Sequence, residues 1–250
     1  MLVLLPPSEG KAPGGDGPPL DLAGLSFPAL SGVRERLVAA LEQVARTDPQ
    51  GLRTALGLSA GQASEVEGDA RLRTSATLPA LRRYTGVLYD ALGYPTLRGP
   101  AKRRADASLV VTSALFGLLR ARDRVPAYRL SAATVLPGAG GLPALWRPLL
   151  EPELAVARGL VVDLRSTAYA GLARLPGAVT VRVLREQDGR RSVVSHDNKA
   201  TKGRLARVLC EVGARTVGDV AEAGRAVGDD VVVEGRRVDV VLEGPAAGRG

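Results

Sequence analysis

The apolar positions of this chain recur with two periods, and those periods mark out its elements. Residues 2–5, LVLL, are a short apolar run stopped by Pro6-Pro7. They read as a buried strand opening into the loop PPSEGKAPGGDGPP, whose polar members Ser8, Glu9 and Lys11 stand where ligand-contacting groups commonly sit. From Leu30 to Ala45, Val33, Leu37, Val38, Leu41 and Val44 recur at helical spacing, with Arg34, Glu35 and Glu42 on the other face. Residues 50–67 predict two short helices broken near Gly57-Leu58-Ser59, with Ser59 as an N-cap. The segment LRRYTGVLYDALGY at 81–94 sets Tyr84 and Tyr89 on either side of a glycine and should be helical at its core. SLVVTSALFGLL at 108–119 is apolar throughout and should be buried, followed by a basic loop or turn, RARDRVPAYRL.

The second half continues in the same manner. A helix with Trp146 is expected from Leu142 to Ala157, a strand in GLVVDLRS at 159–166, and a short helix from Thr167 to Ala173. AVTVRVLRE and RRSVVSH, joined through Asp188-Gly189, read as a hairpin. A helix from about Asn198 to Val212, capped by Asp197 or Asn198, buries Leu205, Val208, Leu209 and Val212. A further helix at Thr216 to Ala223 precedes a final hairpin, VVVEGRRVDVVLEG. Strands and helices in irregular order point to one α/β or mixed α+β domain over residues 1–245, with 246–250 as a disordered tail.

Composition narrows the partner class. With 250 residues and 45% apolar content the chain can bury a full core. It holds no stretch near the roughly 18 apolar residues of a membrane span and no signal-like amino terminus, so a cytoplasmic protein with no membrane partner is expected. The formal charge is +8 and the pI about 10.2, which favours polyanionic partners such as DNA. Only 3% of residues are aromatic, too few for a single-strand reader built on stacking platforms, so phosphate contact is the expected mode. The lone Cys210 reads as a small buried apolar residue, with a redox-sensing thiol as the alternative. One His and one Cys make a metal site difficult to build, and no cofactor is implied.

The chain has no Ile, and among its 34 basic residues only Lys11, Lys102, Lys199 and Lys202 are lysines, the bias a GC-rich genome produces. Lysines kept against that drift mark places where a compact ammonium on a flexible stem is needed. Two of the four lie in HDNKATKG at 196–203, beside the only His and the only Asn. On a helix, Lys199, Lys202, Gly203, Ala206 and Arg207 share one flank, where the small residues would let a phosphate approach the backbone. A solvated basic face is the plainer alternative. His196 alone is weak evidence for a base or ligand. The PPSEGK loop lacks the spacing of a Walker A motif.

Three stretches, LVLLPPSEGKA, SALFGLLRARDRVPAYRL and VVSHDNKATKGRLAR, resemble in content and order the signature stretches of the YaaA-like peroxide-stress family. The resemblance implies an unusual α/β fold with a positively charged cleft, binding of duplex and branched DNA, and a role in peroxide resistance. It carries Lys11, Arg120, Tyr128, Arg129, Lys199 and Lys202 onto matching positions; Asn198 and Arg207 join them from the lysine helix as phosphate contacts. It also implies a helix-hairpin-helix, for which VLCEVGARTVGDVAEAG at 208–224 has the right form and ALGLSAGQASEVEG at 55–68 is the alternative.

Two functions follow as expectations. One is a non-catalytic, monomeric DNA-binding protein holding duplex or branched DNA with little sequence readout. The other is an enzyme on nucleic acid or a nucleotide, of lyase or glycosylase type, using a cleft lysine as nucleophile, with Lys11, Lys199, Lys202 and His196 as the catalytic candidates. Lys11, Arg129, Lys199 and Lys202 are expected to converge on one cleft.

Overall fold

The computed structural model describes residues 1–187, 189–193 and 195–244, without the side chains of Val193, Ser195 and His196. The candidate His196 side chain and the tail at 246–250 therefore lie outside the described residues. In chain order the first half comprises β1 (Leu2–Leu5), α1 (Ser31–Thr47), α2 (Pro49–Ala55), α3 (Ala63–Asp69), β2 (Leu78–Pro79), α4 (Ala80–Arg83), α5 (Val87–Leu92), α6 (Gly99–Ser108), β3 (Leu109–Ser113), β4 (Gly117–Arg120) and β5 (Arg124–Val125). The second half comprises β6 (Val135–Leu136), β7 (Gly140–Gly141), α7 (Leu142–Ala155), β8 (Val161–Asp163), α8 (Thr167–Ala170), β9 (Val179–Gln187), β10 (Arg190–Val193), α9 (Ser195–Val212), α10 (Val217–Arg225), β11 (Asp230–Glu234) and β12 (Arg237–Glu243).

Eight strands form one mixed sheet in the order β11-β12-β9-β8-β1-β3-β4, with β10 paired to the far half of β9. The five interior strands run parallel, and β11 and β4 close the two edges antiparallel. Buried on both faces, β1 and β3 are near-continuous apolar runs, as interior parallel strands must be. From β1 the chain first adds β3 on one side and later β8 on the other. The order thus reverses at β1, and the loops after β1 and β8 leave the same carboxyl edge, where open α/β sheets place their ligands. Among the described residues no helix is long and apolar enough to cross a membrane.

The Ser59 cap acts as read, and two further caps accompany it. Asp48 caps α2 by accepting from Gly51 N at 2.8 Å, a capping box at Ser59 and Gln62 precedes α3, and another at Thr216 and Asp219 starts α10. Four expectations need correction, the first being Val212, read as buried on α9 but exposed at the end of that helix. The segment 81–94 is not one helix: α4 and α5 are separated by Tyr84 in an extended conformation and by Gly86 at φ +92°, which strongly favours glycine. Helix α9 starts at Ser195, so Asp197 lies in its first turn instead of capping it, and its carboxylate pairs with Arg185 at 2.5 Å. Arg34 and Glu42 do not face solvent on α1 but are buried. Arg34 donates to the carbonyls of Phe116 (2.9 Å), Leu118 (2.8 Å) and Ser26 (2.7 Å), tying α1 to the β3–β4 hairpin.

Candidate functional site at the carboxyl edge of the sheet

The break between α4 and α5 receives the loop that leaves β1. Lys11 pairs in antiparallel fashion with Tyr84, Ala12 N donates to Arg83 O at 2.8 Å, and Thr85 N donates to Gly10 O at 3.2 Å and Ser8 Oγ at 3.1 Å. Tyr89 Oη donates to Pro6 O at 2.7 Å, and the buried Arg83 guanidinium gathers the carbonyls of Ala12, Gly14, Ala76 and Val125. A proline-rich loop with few apolar residues is thereby fixed by hydrogen bonds, and Lys11 with it.

Lys11 Nζ donates to Ser8 O at 3.1 Å and Glu9 O at 3.2 Å and lies 4.3 Å from the centre of the Tyr128 ring and 5.6 Å from that of Tyr84. Burial lowers its pKa to about 8; Arg129 adds to the effect, and Asp69, Glu65 and Glu9 oppose it. Tyr128 Oη sits 2.8 Å from Tyr84 Oη and 2.7 Å from Ser113 Oγ, which in turn accepts from the amides of Leu115 and Phe116. This chain of hydroxyls runs from the end of β3 to the rings around the amine. Tyr169, beyond β8, faces the same region: its hydroxyl is pushed up to about 12, chiefly by burial, with Glu9 and Arg129 among its charged neighbours. Four of the five tyrosines thus gather at the one edge.

Arg129 adds a second cation to this group of residues. Its guanidinium pairs with Glu9 at 3.0 Å and Glu65 at 3.5 Å, and its amide donates to Asp69 Oδ1 at 2.8 Å. Asp69 is fully buried, and its Oδ2 finds no hydrogen-bond partner among the described residues. Burial raises its pKa to about 8, against the Arg129 amide and Lys11, which lower it. Sequence reasoning did not find Asp69. The available signal was Glu65 and Asp69 four apart on a short helix, a like-charged pair that is unfavourable without a cation between them.

The residues expected in one cleft separate into groups. Lys11, Tyr128 and Arg129 meet as described. Lys202, 9% exposed, donates to Arg165 O at 3.4 Å and so supports the loop after β8, where Arg165 forms a bidentate pair with Asp163 at 2.7 and 2.9 Å. Its pKa is lowered by burial, with Asp163 pulling the other way. Lys199 is exposed and Asn198 half-buried on the first turns of α9. Arg120 lies opposite Val110 near the start of β3, away from the carboxyl edge, and donates to Ala107 O at 2.8 Å. Arg207 caps α5, donating to the carbonyls of Leu92 and Gly93 at 3.3 Å and to Thr96 Oγ1 at 2.9 Å.

The expected opening at Gly203 is filled. A Cβ at this position would overlap the Leu88 carbonyl oxygen and come within 2.9 Å of Ala91 Cβ, so the glycine serves the close crossing of α5 and α9. The turn at 213–216, where a helix-hairpin-helix was expected, joins α9 to α10, and its four amides already donate: Gly213 and Ala214 to Leu209 O, Arg215 and Thr216 to Asp219 Oδ2. At the alternative turn, Gly57 and Leu58 bond back to α2 and Ser59 N to Gln62. Among the described residues no group of three or more His, Cys, Asp or Glu is placed to hold a metal.

The structure thus defines a mixed α/β protein with a desolvated lysine, a buried carboxylate and linked tyrosines at the reversal point of its sheet. The chain belongs to the family of the peroxide stress protein YaaA, whose model it matches over residues 1–227. It is 46% identical over 250 residues to a UPF0246 protein of Corynebacterium efficiens, covering 97% of this chain and 99% of that one. It is 48% identical over 244 residues to a UPF0246 protein of Streptomyces coelicolor, covering 94% and 93% respectively.

Proposed function

We propose that this protein serves the peroxide response in the cytoplasm by binding duplex or branched DNA through phosphate contacts, with little reading of sequence. The observation that carries this reading is the formal charge of +8. It is supported by exposed cations that the packing leaves at the surface of two adjoining helices, Arg103 on α6 and Lys199 and Arg204 on α9. The family to which the chain belongs supplies the link to peroxide. The glycine turn at 213–216 can join as a second phosphate contact where a phosphate oxygen replaces Asp219 at the two amides it now accepts from.

The test is the salt dependence of binding to a labelled duplex and to a four-way junction, followed by anisotropy. Affinity should drop steeply, by roughly tenfold or more for a few phosphate contacts, between about 50 and 200 mM salt. Lys199→Ala and Arg204→Ala should each reduce the log–log slope by about 1 while leaving sequence preference unchanged. Binding that ignores salt, or no binding to either DNA, contradicts the reading.

A further inference from the structure

Lys11 is set as an amine and not as a surface charge. Its ammonium faces two main-chain carbonyls and two aromatic rings, while the nearby carboxylates of Glu9 and Glu65 are taken by Arg129. The loop that carries it is pinned to the Arg83–Thr85 segment, so the amine is held in place before any substrate arrives. Asp69, fully buried with one carboxylate oxygen unpartnered among the described residues, acts on the charge of the amine. Tyr128 and Tyr84 present ring faces that stabilise a cation at Nζ, and an iminium is a cation at the same atom. The position stands at the reversal point of the sheet, where ligands enter such folds.

We propose that Lys11 is a catalytic nucleophile that captures an aldehyde, the substrate class being the ring-opened deoxyribose of an abasic site in DNA. The choice of that aldehyde rests on the DNA-binding reading above; the amine chemistry does not.

Neutral Nζ adds to the carbonyl carbon, forming a C–N bond as the C=O pair moves to oxygen, which takes up a proton. The nitrogen loses its extra proton, the hydroxyl is protonated and leaves as water, and the nitrogen lone pair closes the C=N bond of the iminium. That positive nitrogen acidifies the neighbouring C2′–H. Loss of the proton forms a C=C bond while the C3′–O bond breaks and the strand phosphate departs with the electron pair. Water hydrolyses the unsaturated iminium and returns the amine. Asp69, raised into the neutral range, accepts and returns the protons, and no oxidant or reductant enters. The groups facing the amine are Glu9, Glu65, Asp69 and Arg129 in charge and Tyr84 and Tyr128 in ring contact. A pKa of about 8 in place of 10.5 leaves Lys11 with a roughly 300-fold larger neutral fraction near pH 7 than an ordinary lysine.

The full-length protein is incubated with propionaldehyde and cyanoborohydride, which reduces an imine to a stable secondary amine, and the modified lysines are located by peptide mass mapping. In parallel, a labelled duplex with a single abasic site and an intact duplex are treated with protein and borohydride, and binding of the intact duplex is measured separately. Lys11 should be alkylated at least ~10-fold faster than Lys102 or Lys199. Abasic DNA should be trapped covalently by the native protein and by Lys102→Arg, whose parent side chain is engaged by Asp106 and the Tyr94 ring. Lys11→Arg should lose trapping while binding intact duplex within about twofold, because its charge is kept. Asp69→Asn should slow trapping and change its pH profile with the fold intact. Labelling of Lys11 no faster than of the other lysines, or a DNA adduct that survives Lys11→Arg, overturns the proposal. Selective labelling of Lys11 without any DNA binding overturns the DNA reading and keeps the amine, and DNA binding without either adduct does the reverse.

Discussion

Gly203→Ala tests what the lysine helix does with its small-residue flank. On an open helix face this change is favourable by about 1 kcal/mol, because alanine is the better helix former. Here the new methyl has no room: it would overlap the Leu88 carbonyl oxygen and meet Ala91 Cβ at 2.9 Å and the Leu88 carbonyl carbon at 3.0 Å, where carbon contacts settle near ~3.5–4.0 Å. The obstacle is the backbone of α5, which cannot swing aside as a flexible side chain would, so the two helices must separate by the better part of an ångström. Overpacking of this kind costs about 1–3 kcal/mol, and against a main-chain obstacle the upper half of that range applies. The net expectation is a loss of about 1–2 kcal/mol, or a fall in Tm of roughly 2–8 °C for a chain of this size. Guanidinium unfolding followed by the fluorescence of Trp146, the only tryptophan and wholly buried, reads it directly. Gly218→Ala, exposed on α10 with its nearest neighbour 3.5 Å from the new Cβ, is the control and should be neutral or stabilising by up to about 1 kcal/mol. If Gly203→Ala is as stable as the parent or more so, the α5–α9 crossing is not tight. The flank would then be free for a phosphate.

Two further outcomes are expected. Asp69 titrates near 8 in the fold against 3.8 ordinarily, so the stability it contributes is full at low pH and is lost as pH rises through about 8; Lys11, lowered from 10.5 to about 8, contributes stability that appears as pH climbs from about 8 to 10.5. Urea unfolding across pH should therefore show Asp69→Asn gaining on the parent between about pH 5 and 8, and a difference that stays constant with pH would refute the pairing of burial and charge described for this site. Cys210 is wholly buried and its thiol is pushed up to about 12 by that burial, so an aromatic disulfide reagent at neutral pH should react only on unfolding. Rapid reaction of the native protein would restore the redox-sensing alternative for this residue.

The order of helices and strands was legible in the sequence because each is a local matter. The 3.6-residue period of Leu37, Val38 and Leu41, the β-branched run in GLVVDLRS and the cap at Ser59 depend on neighbours within a few positions, and the structure places elements there. The lysines drew attention because a lysine-poor chain had kept them, and Tyr128 and Arg129 stood in a recognisable stretch. Which of these residues meet is not local. The same period that placed Arg34 on the polar side of α1 had no knowledge of the carbonyls of Phe116 and Leu118, more than eighty positions away, that take it into the core. Lys199 and Lys202 are three apart and equal in sequence, yet one is exposed and the other is 9% exposed beneath the loop after β8. Asp69 and Lys11 come to influence each other's charge only because a break between α4 and α5 docks the first loop while the Arg129 amide holds the acid in place. Periodicity reports that a face is apolar or basic; what covers that face, and so whether a glycine clears space for a ligand or for another helix, is decided by contacts that close only when the sheet is assembled.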